Sequence, residues 1–137
     1  MILKEEKRNL FEVDDKYYLA HCISEDCAMG AGIAVDFQKR FNLRNKLFKC
    51  NIKYPTCIPV GRVYNLITKA KYWNKPTYNS LESTLIGMRE LALLGDIKFI
   101  AMPKIGCGLD RLQWGKVREM LHEVFKDTDI EILVCHL

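Results

Sequence analysis

The chain has 137 residues, of which 21 are Lys or Arg and 17 Asp or Glu, giving a formal net charge of +4. That length predicts one core and one domain spanning residues 1–137, and 49% hydrophobic with 28% charged residues excludes a disordered or fibrous chain. No apolar run reaches a membrane span, Met1-Ile2-Leu3-Lys4-Glu5-Glu6 lacks signal-peptide layout, and six cysteines without a CxxC pair predict reduced thiols in the cytoplasm, with no membrane contact.

In chain order, Ile2-Leu3 opens a short strand, and Tyr17 to Ile23 reads as a second, mostly buried one. A glycine-rich stretch, Met29-Gly30-Ala31-Gly32, then feeds a helix from Gly32 to Phe41, where Ile33, Phe37 and Phe41 form one apolar stripe. Asn42 to Pro59 has no readable period and is broken by Pro55 and Pro59. Arg62 to Thr68 is β-branched and aromatic, hence a strand.

The strongest helical pattern follows, with Leu81, Leu85, Met88 and Ala92 on one face, Thr77 or Asn79 to cap its start and Gly95 to stop it. Ile97 to Met102 is a strand ended by Pro103. Beyond a second glycine-rich stretch, Ile105-Gly106-Cys107-Gly108-Leu109-Asp110, a helix carries Trp114, Val117, Leu121, Val124 and Phe125, and Ile130 to Cys135 closes the chain as a strand. Alternating strands and helices predict an α/β fold, a three-layer α/β/α sandwich around one central sheet.

Both glycine stretches follow a buried strand and precede a helix, which gathers backbone N–H groups and a positive helix end at one point. Each alone is explained by a tight turn. Two at equivalent strand ends predict a ligand with two phosphates, held where such folds bind ligands, at the carboxyl ends of the strands. Neither stretch matches GxGxxG or GxxxxGK[ST], which disfavours nucleotide-dependent hydride or phosphoryl transfer.

Charge is unevenly distributed. Phe37 to Leu81 contains no acidic residue but holds Lys39, Arg40, Arg44, Lys46, Lys49, Lys53, Arg62, Lys69, Lys71 and Lys75, interleaved with Phe41, Phe48, Tyr54, Tyr72, Trp73 and Tyr78. A solvated lysine-rich surface and a face that attracts a polyanion, such as single-stranded DNA, both fit this pattern. His21, Cys22 and Cys27 lack a fourth ligand nearby, so no metal site is expected.

The series His21-Cys22-Ile23-Ser24-Glu25-Asp26-Cys27, Met29-Gly30-Ala31-Gly32-Ile33-Ala34-Val35, Leu66-Ile67-Thr68-Lys69, Lys75-Pro76-Thr77-Tyr78 and Ile105-Gly106-Cys107-Gly108-Leu109-Asp110-Arg111-Leu112-Gln113-Trp114 resembles the macrodomain family. Within it, the order and spacing are similar to the terminal ADP-ribose protein glycohydrolase branch, from about Tyr18 to the last residue. The resemblance implies a macrodomain with a mixed central sheet, ADP-ribose as ligand, no cofactor, and Lys69 and Asp110 as the catalytic pair. A neutral lysine amine attacks an anomeric carbon well, and a neighbouring carboxylate orients the sugar hydroxyls and shuttles protons. From the residues alone, Lys69 reads as a solvated strand-end lysine, and Asp110 with Gln113 reads as a helix cap.

The same resemblance places Gly30, Ala31, Gly32 and Ile33 on one side of the diphosphate, and Pro103, Ile105, Gly106, Cys107, Gly108 and Leu109 on the other. Ser24 and Thr68 fall on the sugar and phosphate side. Cys107 is a small residue that lets the backbone approach, with no case as a nucleophile. His21 is counted with the ligand-side residues, as a packed or hydrogen-bonded strand-end residue rather than a base. Asn9 and Leu10, in Arg8-Asn9-Leu10-Phe11, stand where the family has an aspartate that accepts a bond from adenine; an amide oxygen can accept it too, without charge. Cys135 stands where relatives carry an aromatic residue.

Three activities follow as expectations. The first is a hydrolase that releases ADP-ribose from a protein carboxylate or a nucleic-acid base. The second is a deacetylase of O-acetyl-ADP-ribose, and the third a reader that binds ADP-ribose without chemistry. A monomer is expected.

Overall fold

The computed structural model describes residues 1–137. Six strands form one sheet: β1 (Ile2–Lys7), β2 (Tyr18–Ser24), β3 (Thr56–Val60), β4 (Val63–Lys69), β5 (Phe99–Met102) and β6 (Glu131–His136). Their order is β1-β6-β5-β2-β4-β3, and only β3, paired with β4, runs antiparallel. Helices α1 (Ile33–Phe41) and α2 (Leu43–Leu47) cover one face, and α3 (Tyr78–Leu94) and α4 (Trp114–Phe125) the other. The sandwich with a mixed sheet is therefore as expected.

Alternation along the central strands produces the two cores. Leu19 and Ile23 of β2, with Val63 and Ile67 of β4, pack on the α1–α2 side around Phe37, Leu43 and Leu47. Ala20 of β2, with Tyr64 and Leu66 of β4, packs on the α3–α4 side around Leu81, Leu85, Met88, Val117 and Leu121. A capping box between Thr77 and Ser80 starts α3, and Gly95 ends it.

Four elements depart from the sequence reading. β1 runs four residues beyond Leu3 because Lys4, Glu5, Glu6 and Lys7 occupy an exposed edge, where charge guards the open strand instead of ending it. The unreadable stretch contains α2, whose Leu43 and Leu47 are fully buried one turn apart, and edge strand β3, where Pro59 is exposed. Finally, Gln113, not Asp110, is the N-cap of α4, and its side chain makes no cap bond. Asp110 is engaged elsewhere.

The site is set up by a divergence in the sheet. β2 pairs with β4 over six residues but with β5 only at Tyr18–Ile100 and Leu19–Ala101. Beyond those pairs the carboxyl ends of β2 and β5 separate. The chain leaving β2 passes to α1 on one face, and the chain leaving β5 passes to α4 on the other. A crevice at such a switch point is where open α/β sheets bind ligands.

Candidate active site

That crevice is a cavity of about 700 Å³, within the range that takes a small-molecule ligand. Its walls include Cys22, Ile23 and Ser24 from β2, Ala28 to Ala34 from the first glycine loop, Pro103 to Gly106 with Gly108 to Asp110 from the second, and Lys69, Tyr72 and Lys75.

The first loop is a strained cradle. Cys27 and Met29 have positive φ (55° and 48°), and Gly32 lies at φ 61°, ψ −152°, a region open essentially to glycine alone. No side chain caps α1 at Gly32, and the amides of Met29, Gly30 and Ala31 donate to no protein acceptor. In the second loop, Cys107, Arg111 and Leu112 donate to the carbonyls of Lys104, Gly108 and Gly106, whereas the amides of Ile105 and Gly108 are unengaged and that of Gly106 is directed at the Cys22 sulfur. Gly106 has φ 73°, and a Cβ there would come within 2.9 Å of Leu112 Cδ1. The loops meet where Leu109 Cδ1 lies 3.5 Å from the position of a Cβ on Gly32. Two sets of free amides facing one cavity suit an anion with two phosphates.

At one end of the cavity, Lys69 Nζ donates to Asp110 Oδ1 at 2.7 Å. The two side chains are 13% and 14% exposed, so this is a sheltered pair open on the ligand side rather than a surface ion pair. Its parts arrive from β4 and from the loop before α4, 41 residues apart in sequence. Lys75 Nζ donates to the Leu109 carbonyl at 2.7 Å and ties the segment after β4 to the second glycine loop.

Asp26 organises this end although sequence reasoning passed over it. Its carboxylate accepts from the Ser24 hydroxyl, from the Ala28 amide at 3.3 Å and from the Tyr72 amide at 3.1 Å. Burial alone would raise its pKa, but these hydrogen bonds outweigh that and hold the carboxyl below its ordinary value. Ser24 is therefore buried and committed to Asp26, although it lines the cavity. Cys22, Ile23, Ala28, Met29, Ala34, Tyr72, Lys75 and Lys104 also line it without having been singled out as ligand-side residues. The only sequence signal for them was adjacency to the two glycine loops and to Lys69.

Six of the residues singled out from the sequence, Asn9, Leu10, His21, Thr68, Cys107 and Cys135, lie outside the cavity walls. Asn9 Oδ1 accepts the Phe11 amide at 2.9 Å and caps the short 3-10 turn Leu10–Glu12, and Leu10 is buried in the α1-side core. Thr68 is buried with its hydroxyl unpartnered. Cys107 turns its sulfur to the Ile105 carbonyl at 3.3 Å, and burial pushes its thiol up. Burial pushes the Cys22 thiol up as well, so neither cysteine is primed as a nucleophile. Cys135 is buried in the core that contains Leu10 and Phe37.

His21 faces α1, not the ligand. Its ring stacks on Phe37 at 3.9 Å and 19°, and Nε2 lies 2.7 Å from Asn65 Oδ1. Because Asn65 Nδ2 donates to the Ile58 carbonyl, its oxygen faces His21, which makes Nε2–H the donor and Nδ1 the unpartnered acceptor. Burial, partly opposed by the Asn65 bond, lowers its pKa from 6.5 to about 4. Between these values the unfolded chain holds more protons than the folded one, so stability rises with pH; this contribution is complete above the unfolded value and is lost as pH falls toward 4. The loss amounts to about 3 kcal/mol. Urea denaturation between pH 4 and 7.5 is expected to show it, and His21→Gln, which keeps a donor but does not titrate, is expected to flatten the slope.

Comparison with known proteins identifies the family and the fold. The human ADP-ribose glycohydrolase OARD1 is 46% identical to the chain, with 93% of this chain and 87% of that protein covered. The chain belongs to the macrodomain family, in the OARD1 branch. The macrodomain of Mycobacterium tuberculosis DarG superposes with a TM-score of 0.88 at 18% identity, covering 99% of this chain and 98% of that one. Thermosipho africanus DarTG, solved in complex with ADP-ribose, superposes at 0.80 with 18% identity, covering 98% of this chain and 41% of that one. No family model matches. At these identities the two solved structures speak for the macrodomain fold, and the human relative for the branch.

Proposed function

We propose that this macrodomain is an ADP-ribosyl glycohydrolase that hydrolyses the bond at the anomeric carbon of the terminal ribose, with Lys69 as nucleophile and Asp110 as its proton partner. The observation that carries the reading is the sheltered 2.7 Å contact between these two groups at the end of a cavity walled by two amide-lined loops. A reader needs only the loops.

In the reaction, the Lys69 amine passes a proton to Asp110 and attacks the anomeric carbon. The C–N bond forms as the bond to the substituent breaks, and the substituent leaves with a proton returned by Asp110. Opening of the ribose ring gives an imine on Lys69 and a free hydroxyl. Water, deprotonated by Asp110, adds to the imine, and collapse frees the lysine and ADP-ribose. The sum is substrate plus water to ADP-ribose plus the protonated substituent.

The leaving group is a protein carboxylate or a nucleic-acid base. The acid-free stretch supports the second, because within it only Arg62 and Lys69 pair with a carboxylate, which leaves the charge of the other cations unneutralised for phosphates. The test is release of ADP-ribose from a glutamyl-modified peptide, from a modified single-stranded oligonucleotide and from O-acetyl-ADP-ribose. Glycohydrolysis is expected to exceed deacetylation, and release from the oligonucleotide is expected to fall as salt rises. Binding of ADP-ribose with no release from any substrate would leave the protein a reader.

A further inference from the structure

Tyr72 and Trp73 are large aromatic residues that the fold leaves in water, 62% and 64% exposed. They are not loosely hung. The Lys71 amide donates to Asn74 Oδ1 at 3.0 Å, the Asn74 amide to the Lys71 carbonyl at 2.9 Å, and the Tyr72 amide to Asp26 Oδ2 at 3.1 Å. The two rings meet edge to face, with centroids 5.0 Å apart and planes at 87°. The pair thus stands as a fixed corner three residues beyond Lys69, and Tyr72 shares a cavity wall with Lys69, Lys75 and Asp110.

This position is on the reacting side. With the diphosphate on the two amide loops, the group attached at the anomeric carbon would lie toward Lys69 and Asp110, and Tyr72 lines the same cavity as that pair. Lys71 and Lys75 bracket the pair, and neither takes part in an ion pair with a carboxylate; Lys75 is bonded only to a backbone carbonyl. Phe48 and Tyr54 of the basic stretch are exposed too but do not line the cavity, and other aromatic residues of the stretch are engaged. Phe41 packs on Phe37, and the Tyr78 hydroxyl accepts the Gln113 amide at 3.0 Å.

Resting on the glycohydrolase reading, we infer that Tyr72 and Trp73 form a stacking platform for the nucleobase at or beside the modification, with the lysines meeting its phosphates. The pair then selects single-stranded nucleic acid over a carboxylate ester. Flat rings flanked by cations suit an unpaired base and its backbone, and an aliphatic glutamyl side chain has no face to stack.

The test compares wild type, Trp73→Ala and Trp73→Phe in kcat/KM on a single-stranded oligonucleotide bearing one ADP-ribosylated base and on a glutamyl-ADP-ribosylated peptide. Trp73 is mostly exposed, so its loss does not threaten folding. The ratio of oligonucleotide to peptide activity is expected to fall by about fivefold or more in Trp73→Ala and to recover in Trp73→Phe. An unchanged ratio in Trp73→Ala overturns the platform. Release from the peptide alone by the wild type overturns it as well, in favour of a protein-directed surface, and leaves the glycohydrolase reading intact. No release from either substrate by the wild type removes both.

Discussion

Replacing Lys69 with alanine is expected to lower the release of ADP-ribose by at least about 10³-fold, because the variant lacks the atom that forms the covalent bond and retains only binding and positioning. Affinity for free ADP-ribose, measured by calorimetry, is expected to change far less, since the two amide-lined loops are untouched. The split between turnover and binding separates a nucleophile from a lysine that merely attracts phosphate. A purely electrostatic lysine would show the opposite pattern, with weakened binding and a rate at saturation close to wild type. The substitution also leaves Asp110, only 14% exposed, without its partner. Lys69→Arg is the companion variant: it keeps the charge pairing but carries no neutral amine, and it is expected to be as inactive as the alanine variant while remaining more stable.

Asp110→Asn tests the other half of the pair. The amide oxygen can still accept from Lys69 Nζ, so the geometry at 2.7 Å is expected to survive, but the group can no longer take or return a proton. Losing a positioned acid–base group typically costs about 10²–10⁴ in rate, and a fall in kcat of that size is expected. The pH profile carries the sharper information. With no internal base, the lysine gives its proton to solvent, so the variant's rate is expected to climb with pH toward the alkaline side, where the wild type is expected to change much less. A flat, uniformly reduced profile in the variant would make Asp110 a residue that only orients the sugar.

Much of the scaffold was legible because its residues lie in periodic patterns that burial enforces. β2, β4, β5, β6 and the three longer helices each carry an apolar repeat matching the face they pack, and those repeats place both glycine loops at strand ends. What escaped was short or charged. Five-residue α2 shows only Leu43 and Leu47, too few to establish a period, and β3 combines edge exposure with a proline. The charged half of β1 is visible only once its register with β6 is known.

The site divided along a similar line. Loop residues were readable from local backbone demands, since Gly32 and Gly106 occupy conformations that side chains resist. Asp110 was ambiguous because its local context, three residues before Gln113, imitates a cap, and only the contact with Lys69 across 41 residues gives it another task. Asp26 and Tyr72 act through a hydrogen bond spanning 46 residues, for which sequence offers no local cue. His21 stands in the same run as Ser24 but points the other way, because β-strand alternation turns it onto Phe37.

The central claim is that the Lys69 amine bonds covalently to the anomeric carbon inside this crevice. It is tested most directly by adding borohydride during turnover, which reduces an imine to a stable secondary amine, and locating the product by peptide mass spectrometry. ADP-ribose carried on Lys69 alone, and absent from the Lys69→Arg variant, is the predicted result. Continued release of ADP-ribose with Lys69 unmodified, or with the adduct on a different lysine, would contradict it.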